Sequence, residues 1–213
     1  MIGRHLAGRL AGLFRGEDRW DPRVVVVDTE TSGLDPQSDE LLAIGAVAVD
    51  EAGIRVGDSF EVLVRPEHAL INASTVVHGI GGEMQRTAVS PRPALDSFVS
   101  YVDAAPLVAF HAAFDKAVIE RALSIAQIRA GARRWFDAAE LAATLRPDEH
   151  RRGLRTLDDW LAHFRIETTS RHTAAGDAAA TAELFLCLRA LASKEGHRSH
   201  ASLARLARRY RWL

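Results

Sequence analysis

The sequence predicts an α/β fold, a mixed five-stranded sheet flanked by helices, and three observations carry that prediction. Four consecutive valines at 24–27 run into an acid, which suits a strand buried on both faces and therefore central in a sheet. Two more apolar segments follow at hairpin spacing, so the first three strands should form an antiparallel meander. From residue 90 onward, helical periodicity alternates with short apolar segments, the pattern of crossover connections with helices on both faces of a sheet.

In chain order, residues 23–28 form the first strand and Thr31-Ser32-Gly33-Leu34 a turn. The second strand covers 41–49, and Asp50-Glu51-Ala52-Gly53 is a hairpin loop into a third strand over 54–64. A long connection over 66–86 carries Gly79, Gly81 and Gly82, and connections of that length in compact domains are often functional. Ser90 is placed to cap a helix with Pro91 at its first position, and Leu95, Phe98, Val99 and Val102 form its apolar stripe. Residues 107–110 make a fourth strand. The helix after it starts at Phe114 and buries Val118, Ile119, Ala122 and Ala126. A fifth strand at 134–136 precedes helices at 138–145, 157–164 and 177–192, and a basic one at 202–211.

The chain of 213 residues suits one domain at 23–192, an amphipathic helical extension at 1–22 and a basic helical tail at 193–213. A net charge of −1 offers nucleic acid no attraction from the molecule as a whole, so a polyanion would be held by a local basic patch or by metal. The lone Cys187 excludes an internal disulfide and reads as a core thiol in a reducing, cytoplasmic setting. No apolar run approaches the roughly 20 residues of a membrane span. Ile2, Leu6, Leu10 and Leu13 recur at helical spacing among Arg4, Arg9 and Arg15. This resembles a mitochondrial presequence but is poor in serine, so a packed or partner-binding helix is preferred.

The chemistry is carried by acids. Asp28 and Glu30 lie two apart on one strand and so share a face. Asp115 and Asp177 each open a helix and continue its apolar stripe, which turns both toward the sheet rather than toward solvent. If the fourth strand lies beside the first, all four acids gather at the carboxyl ends of strands around a topological switch point. No arginine or lysine is evident beside them in the pattern, so divalent cations are the economical counter-charge. His172, in the loop before the last of these helices, is a natural general base, with an unperturbed pKa of about 6.5. The chemistry expected is two-metal phosphodiester hydrolysis: the ions lie roughly 4 Å apart, one activating water and the other steadying the leaving 3′ oxygen.

Three segments make the resemblance specific: Asp28-Thr29-Glu30-Thr31-Ser32-Gly33-Leu34 after the valines, His111-Ala-Ala-Phe114-Asp115, and His172-Thr-Ala-Ala-Gly-Asp177. Together they resemble the DEDDh 3′→5′ exonucleases, a family with a ribonuclease H-like fold that includes replicative proofreading subunits, ribonuclease T and oligoribonuclease. The resemblance covers about 23–192 and implies that Asp28, Glu30, Asp115 and Asp177 hold two Mg²⁺ or Mn²⁺ ions with His172 as base. It also implies that Thr31, Ser32, Leu34, His78 and Phe114 meet the terminal nucleotide. Thr173 stands where the sister branch carries its catalytic tyrosine. One departure is visible: Phe110-His111 occupies the place of the family's His-Asn, which puts the contact made by that Asn in doubt.

The function implied is release of nucleoside 5′-monophosphates from the 3′ end of single-stranded DNA. An oligoribonucleotide exonuclease is the alternative in the same class, and a non-catalytic nucleic-acid or polymerase adaptor the alternative in another. A polymerase or repair complex is a candidate partner. Lys194, Arg198, Arg205, Arg208, Arg209 and Arg211 in the tail could guide a strand or dock a partner, although a helix packed on the domain is the preferred reading. Arg151, Arg152 and Arg155 form a second basic loop, read with the same caution.

Overall fold

The computed structural model describes residues 20–67, 78–168 and 170–210. The amphipathic extension anticipated at 1–22 lies outside them except for its last three residues. Strands β1 (Val24–Thr31), β2 (Leu41–Val49), β3 (Ile54–Leu63), β4 (Leu107–Ala109) and β5 (Trp135–Asp137) form one sheet in the order β3-β2-β1-β4-β5. β1 pairs antiparallel with β2 and parallel with β4, which meets the condition set from sequence for a switch point at β1. β2–β3 is antiparallel and β4–β5 parallel.

Alternation along β1 sorts the valines into two cores. Val24 and Val26 pack, with Val47 and Val49, against α4 (Ala138–Leu145), α6 (Leu157–Phe164), α7 (Ala174–Lys194) and α8 (His200–Tyr210). Val25 and Val27 face α2 (Pro91–Val102) and α3 (Ala113–Ile125) on the other side, through Leu95, Phe98, Val118 and Ile119. Burying each such side chain stabilises the fold by about 2 kcal/mol. The same alternation carries Asp28 and Glu30 onto the α7 face and Thr29 onto the α3 face.

Several local expectations are corrected. Ser90 precedes α2 but makes no side-chain cap bond, leaving Pro91 as the start signal. β4 stops one residue early because His111 takes a left-handed φ of 59° and turns the chain toward α3. α7 begins at Ala174, three residues before the expected start, with Thr173 Oγ1 capping it by accepting the Gly176 N–H at 3.1 Å. Two short helices, α1 (Gly82–Thr87) and α5 (Pro147–Arg151), were not foreseen. The tail helix α8 packs on the domain through buried Leu203 and Leu206, the reading preferred from sequence. His200, stacked among Trp20, Phe136 and Phe185, accepts the Asp21 N–H at 2.8 Å and ties α8 to the chain before β1. Burial pushes its pKa down to about 4, so it serves as a neutral packing group. Cys187 is half-buried and its thiol pKa is raised by burial, as suits an inert core thiol.

Candidate active site

Asp28, Glu30 and Asp177 each offer a carboxylate oxygen, and these oxygens lie within 4.8 Å of one another. Two come from the end of β1 and the third from the first turn of α7. The junction depends on two glycines. Gly45 on β2, the pairing partner of Asp28, faces the start of α7 so closely that a Cβ there would overlap the backbone of Ala174 and Ala175. A Cβ at Gly176 would strike the Ser170 carbonyl. The bare Gly45 lets α7 approach the strand end and bring Asp177 into reach, and the bare Gly176 lets the Ser170 loop fold back onto the start of α7. Neither glycine was singled out from sequence, because their cause is a tertiary approach with no local signature.

Asp115 is handled differently. It sits on α3, across the sheet from α7, and is only 4% exposed. Its Oδ1 accepts the Thr29 hydroxyl at 2.8 Å, and it stands outside the three-oxygen cluster. It is still near enough for its charge to raise the Asp28 pKa. The expected four-acid gathering is therefore three converging oxygens with a fourth carboxylate beside them.

Electrostatically the site is under-compensated. Burial, and then the charges of Asp115 and Glu30, push the Asp28 pKa well above the carboxylate range. Burial raises Glu30 to about 7 and moves Asp115 upward as well. One correction to the sequence reading is substantial: an arginine does stand in the site. Arg171 pairs with Asp177 through Nη1, and its charge opposes the rise at both Asp28 and Glu30. It was missed because a loop residue leaves no periodic signal. His172 is exposed, takes a left-handed φ of 62°, and donates its backbone N–H to Asp177 Oδ1 at 3.2 Å.

The remaining candidates divide. Thr31 and Ser32 are buried and committed to their own turn: Thr31 donates to the Gly33 carbonyl at 2.6 Å and Ser32 to Asp39 at 3.1 Å. Arg121 of α3 pins that turn through the Ser38 and Asp39 carbonyls. Leu34 projects from its tip, 92% exposed. Phe114 packs, partly buried, against the α2–α3 core. His78 is 7% exposed; its Nδ1 accepts the Ile80 N–H at 3.1 Å, and its buried Nε2 has no hydrogen-bond partner among the described residues.

Asp137, absent from the sequence candidates, braces this end of the sheet. It caps α4 at the N–H groups of Ala139 and Glu140 and accepts those of His111 and Ala112 at 3.2 and 3.0 Å. It thereby fixes the turn that delivers Asp115. The His111 ring meets the Arg155 carbonyl at 3.2 Å. In the loop carrying Arg151, Arg152 and Arg155, Arg151 pairs with Asp148 and the Arg155 guanidinium donates to the carbonyls of His150 and Leu154.

Comparisons with known proteins accord with this geometry. The family model RNase_T, described as an exonuclease, matches residues 25–185. A DNA polymerase III subunit epsilon-like protein of Rhodobacter capsulatus is 35% identical over 168 residues, which is 77% of this chain and 23% of that protein. A PolC-type DNA polymerase III of Thermotoga maritima is 30% identical over 168 residues, 78% of this chain and 12% of its own length. This chain thus spans less than a quarter of either relative. Among solved structures, exonuclease X in complex with 5′-overhanging duplex DNA superposes with a TM-score of 0.63 at 21% identity, over 80% of this chain and 93% of that one. That likeness shows the shared fold.

Proposed function

The chain belongs to the exonuclease family of DEDDh 3′→5′ type, and we propose that it removes nucleoside 5′-monophosphates one at a time from the 3′ end of single-stranded DNA. The observation that carries this reading is the convergence of Asp28, Glu30 and Asp177 from chain segments far apart in sequence. Such a cluster costs stability unless it meets a cation. Its donors are all carboxylate oxygens, a set that fits a hard divalent ion such as Mg²⁺ or Mn²⁺. Asp28, Glu30 and Asp177 would hold the ions together with Asp115, whose charge Asp28 already feels. When bound, such ions supply Lewis-acid activation of water and neutralise charge on the departing oxygen.

The chain's own residues do the rest. His172, exposed beside Asp177, takes the proton of the attacking water. The Thr31–Ser32 turn, held by its hydroxyl bonds and by the Ser32 N–H to the Glu40 carbonyl, presents a fixed edge to the terminal nucleotide. Leu34 packs on a base, and Nε2 of His78, without a partner among the described residues, donates to the nucleotide because Nδ1 is already an acceptor. Phe114 supports this pocket from the core side.

The test is degradation of matched, 5′-labelled DNA and RNA oligomers with Mg²⁺, with Mn²⁺ and with chelator. Metal-dependent shortening from the 3′ end, faster on DNA, is expected; faster RNA cleavage would reassign the substrate, and no cleavage of either would refute the enzyme. His172→Ala should slow turnover by roughly 10²–10⁴-fold with Mn²⁺ affinity retained. An equal loss of Mn²⁺ affinity would make His172 a ligand instead.

A further inference from the structure

Arg171 lies between two acids with different surroundings. Its guanidinium pairs with Asp177 in the carboxylate cluster and, at 2.8 Å, with Asp158 on α6, whose side chain is 65% exposed. Its charge also reaches Asp28 and Glu30, so one guanidinium serves the three cluster carboxylates as well as Asp158. The oxygen it holds, Asp177 Oδ1, is the same atom that accepts the His172 N–H. A guanidinium cannot be deprotonated in a protein, so its competition with any incoming cation is relieved only by movement.

We propose that Arg171 is a built-in counter-ion: it holds the cluster together in the metal-free protein, and a divalent ion must displace it from Asp177 in order to bind. The inference rests on the reading of Asp28, Glu30 and Asp177 as metal ligands. Asp158 gives the displaced guanidinium a place to stay, because it is already paired with Arg171 and lies outside the cluster. Displacement also frees the Oδ1 that fixes the His172 backbone, so metal occupancy and the placement of the base are coupled through one carboxylate. Arg171 acts through Asp177 and is a positioning residue.

The experiment is a Mn²⁺ titration, by calorimetry or electron paramagnetic resonance, of the full chain and of Arg171→Gln and Arg171→Lys, with melting of each protein in chelator. Removing one positive charge a few ångströms from the site should tighten Mn²⁺ binding by about 10-fold or more at an effective dielectric near 20. Arg171→Gln should also lower the melting temperature of the metal-free protein. Arg171→Lys keeps the charge and should bind Mn²⁺ within about three-fold of the original chain. Arg171→Met is the second neutral variant, in case the glutamine protein does not fold. Unchanged or weaker Mn²⁺ binding by a folded neutral variant, with the original chain binding normally, would overturn the counter-ion role alone. Absence of Mn²⁺ binding by the original chain would overturn the metal reading and this inference with it.

Discussion

At the amino end of β1, Arg23 forks onto Asp58 at 2.8 and 3.0 Å and lies over the Tyr101 ring, 4.7 Å from its centroid. At the carboxyl end of the same strand, Asp28 and Glu30 meet Asp177 with Arg171 as their shared counter-charge among the described residues. The first arrangement gives each anion a cation, and Asp58 is held below the usual carboxylate range by its bond from Arg23. The second sets three carboxylates, and Asp115 beside them, against one guanidinium, and burial drives the pKa values of Asp28, Glu30 and Asp115 up. One strand thus carries a charge pair that favours the fold and a charge surplus that opposes it. A surplus maintained at the carboxyl end of a central strand, at the topological switch point, is where a ligand can repay its cost.

The contrast breaks most sharply at Asp28. Asp28→Asn keeps the shape, removes a buried charge and removes a proposed ligand. Hydrolysis should fall by roughly 10³-fold or more, on the scale of losing a principal electrostatic group of an active site. The metal-free protein should nonetheless melt about 2–4 °C higher for each kcal/mol of repulsion relieved. An active Asp28→Asn protein would contradict the ligand assignment, and a lower melting temperature would contradict the claim of surplus charge.

Acidity sharpens the comparison with a smaller effect. Glu30 titrates near 7 in the folded chain against an ordinary value of 4.5, so between those values the folded state binds more protons than the unfolded one. Stability of the metal-free protein should therefore fall as pH rises from about 4.5 to about 7, and Asp28, shifted in the same direction, adds to the slope. Asp58 has the opposite sign: its contribution is present above the ordinary value of 3.8 and is lost as pH drops through its depressed folded pKa. Saturating Mg²⁺ should flatten or reverse the first slope, because an ion binding only the folded, ionised cluster stabilises it more as pH rises. Urea melts at several pH values, with Mg²⁺ and with chelator, measure this. A metal-free protein that gains stability steadily from pH 5 to 7 would refute it.

How far the sequence disclosed all this depended on the range of the cause. The valines of β1, the limits of β2, α4 and α6, and the antiparallel meander were legible because period and turn residues are local. Asp28 and Glu30 were legible for the same reason, through alternation along one strand. Asp177 could be placed by its helical stripe, although the start of α7 was set three residues earlier by Thr173 and by room made at Gly45 and Gly176. Arg171 and Asp137 escaped notice, being an irregular-loop residue and a strand-end cap whose partners are distant in sequence. Asp115 was assigned to the right end of the sheet but not to its bond from Thr29, since that bond joins residues 86 apart in sequence.

The smallest effect belongs to the compensated end. Asp58→Ala removes an ion pair whose side chains are 42% and 30% exposed, a setting in which such pairs contribute about 0–1 kcal/mol. The Tyr101 hydroxyl would keep its bond, because its acceptor is the Asp58 backbone carbonyl at 2.7 Å rather than the carboxylate. Melting should therefore drop by no more than about 2–4 °C, and the drop should shrink in high salt as the pair is screened. Metal-dependent hydrolysis should be unchanged, since Asp58 sits at the far end of β1 from the cluster. A change in Mn²⁺ affinity on Asp58→Ala would mean that the two ends of the strand are coupled, and their opposite treatment of charge could no longer be read as two independent local balances.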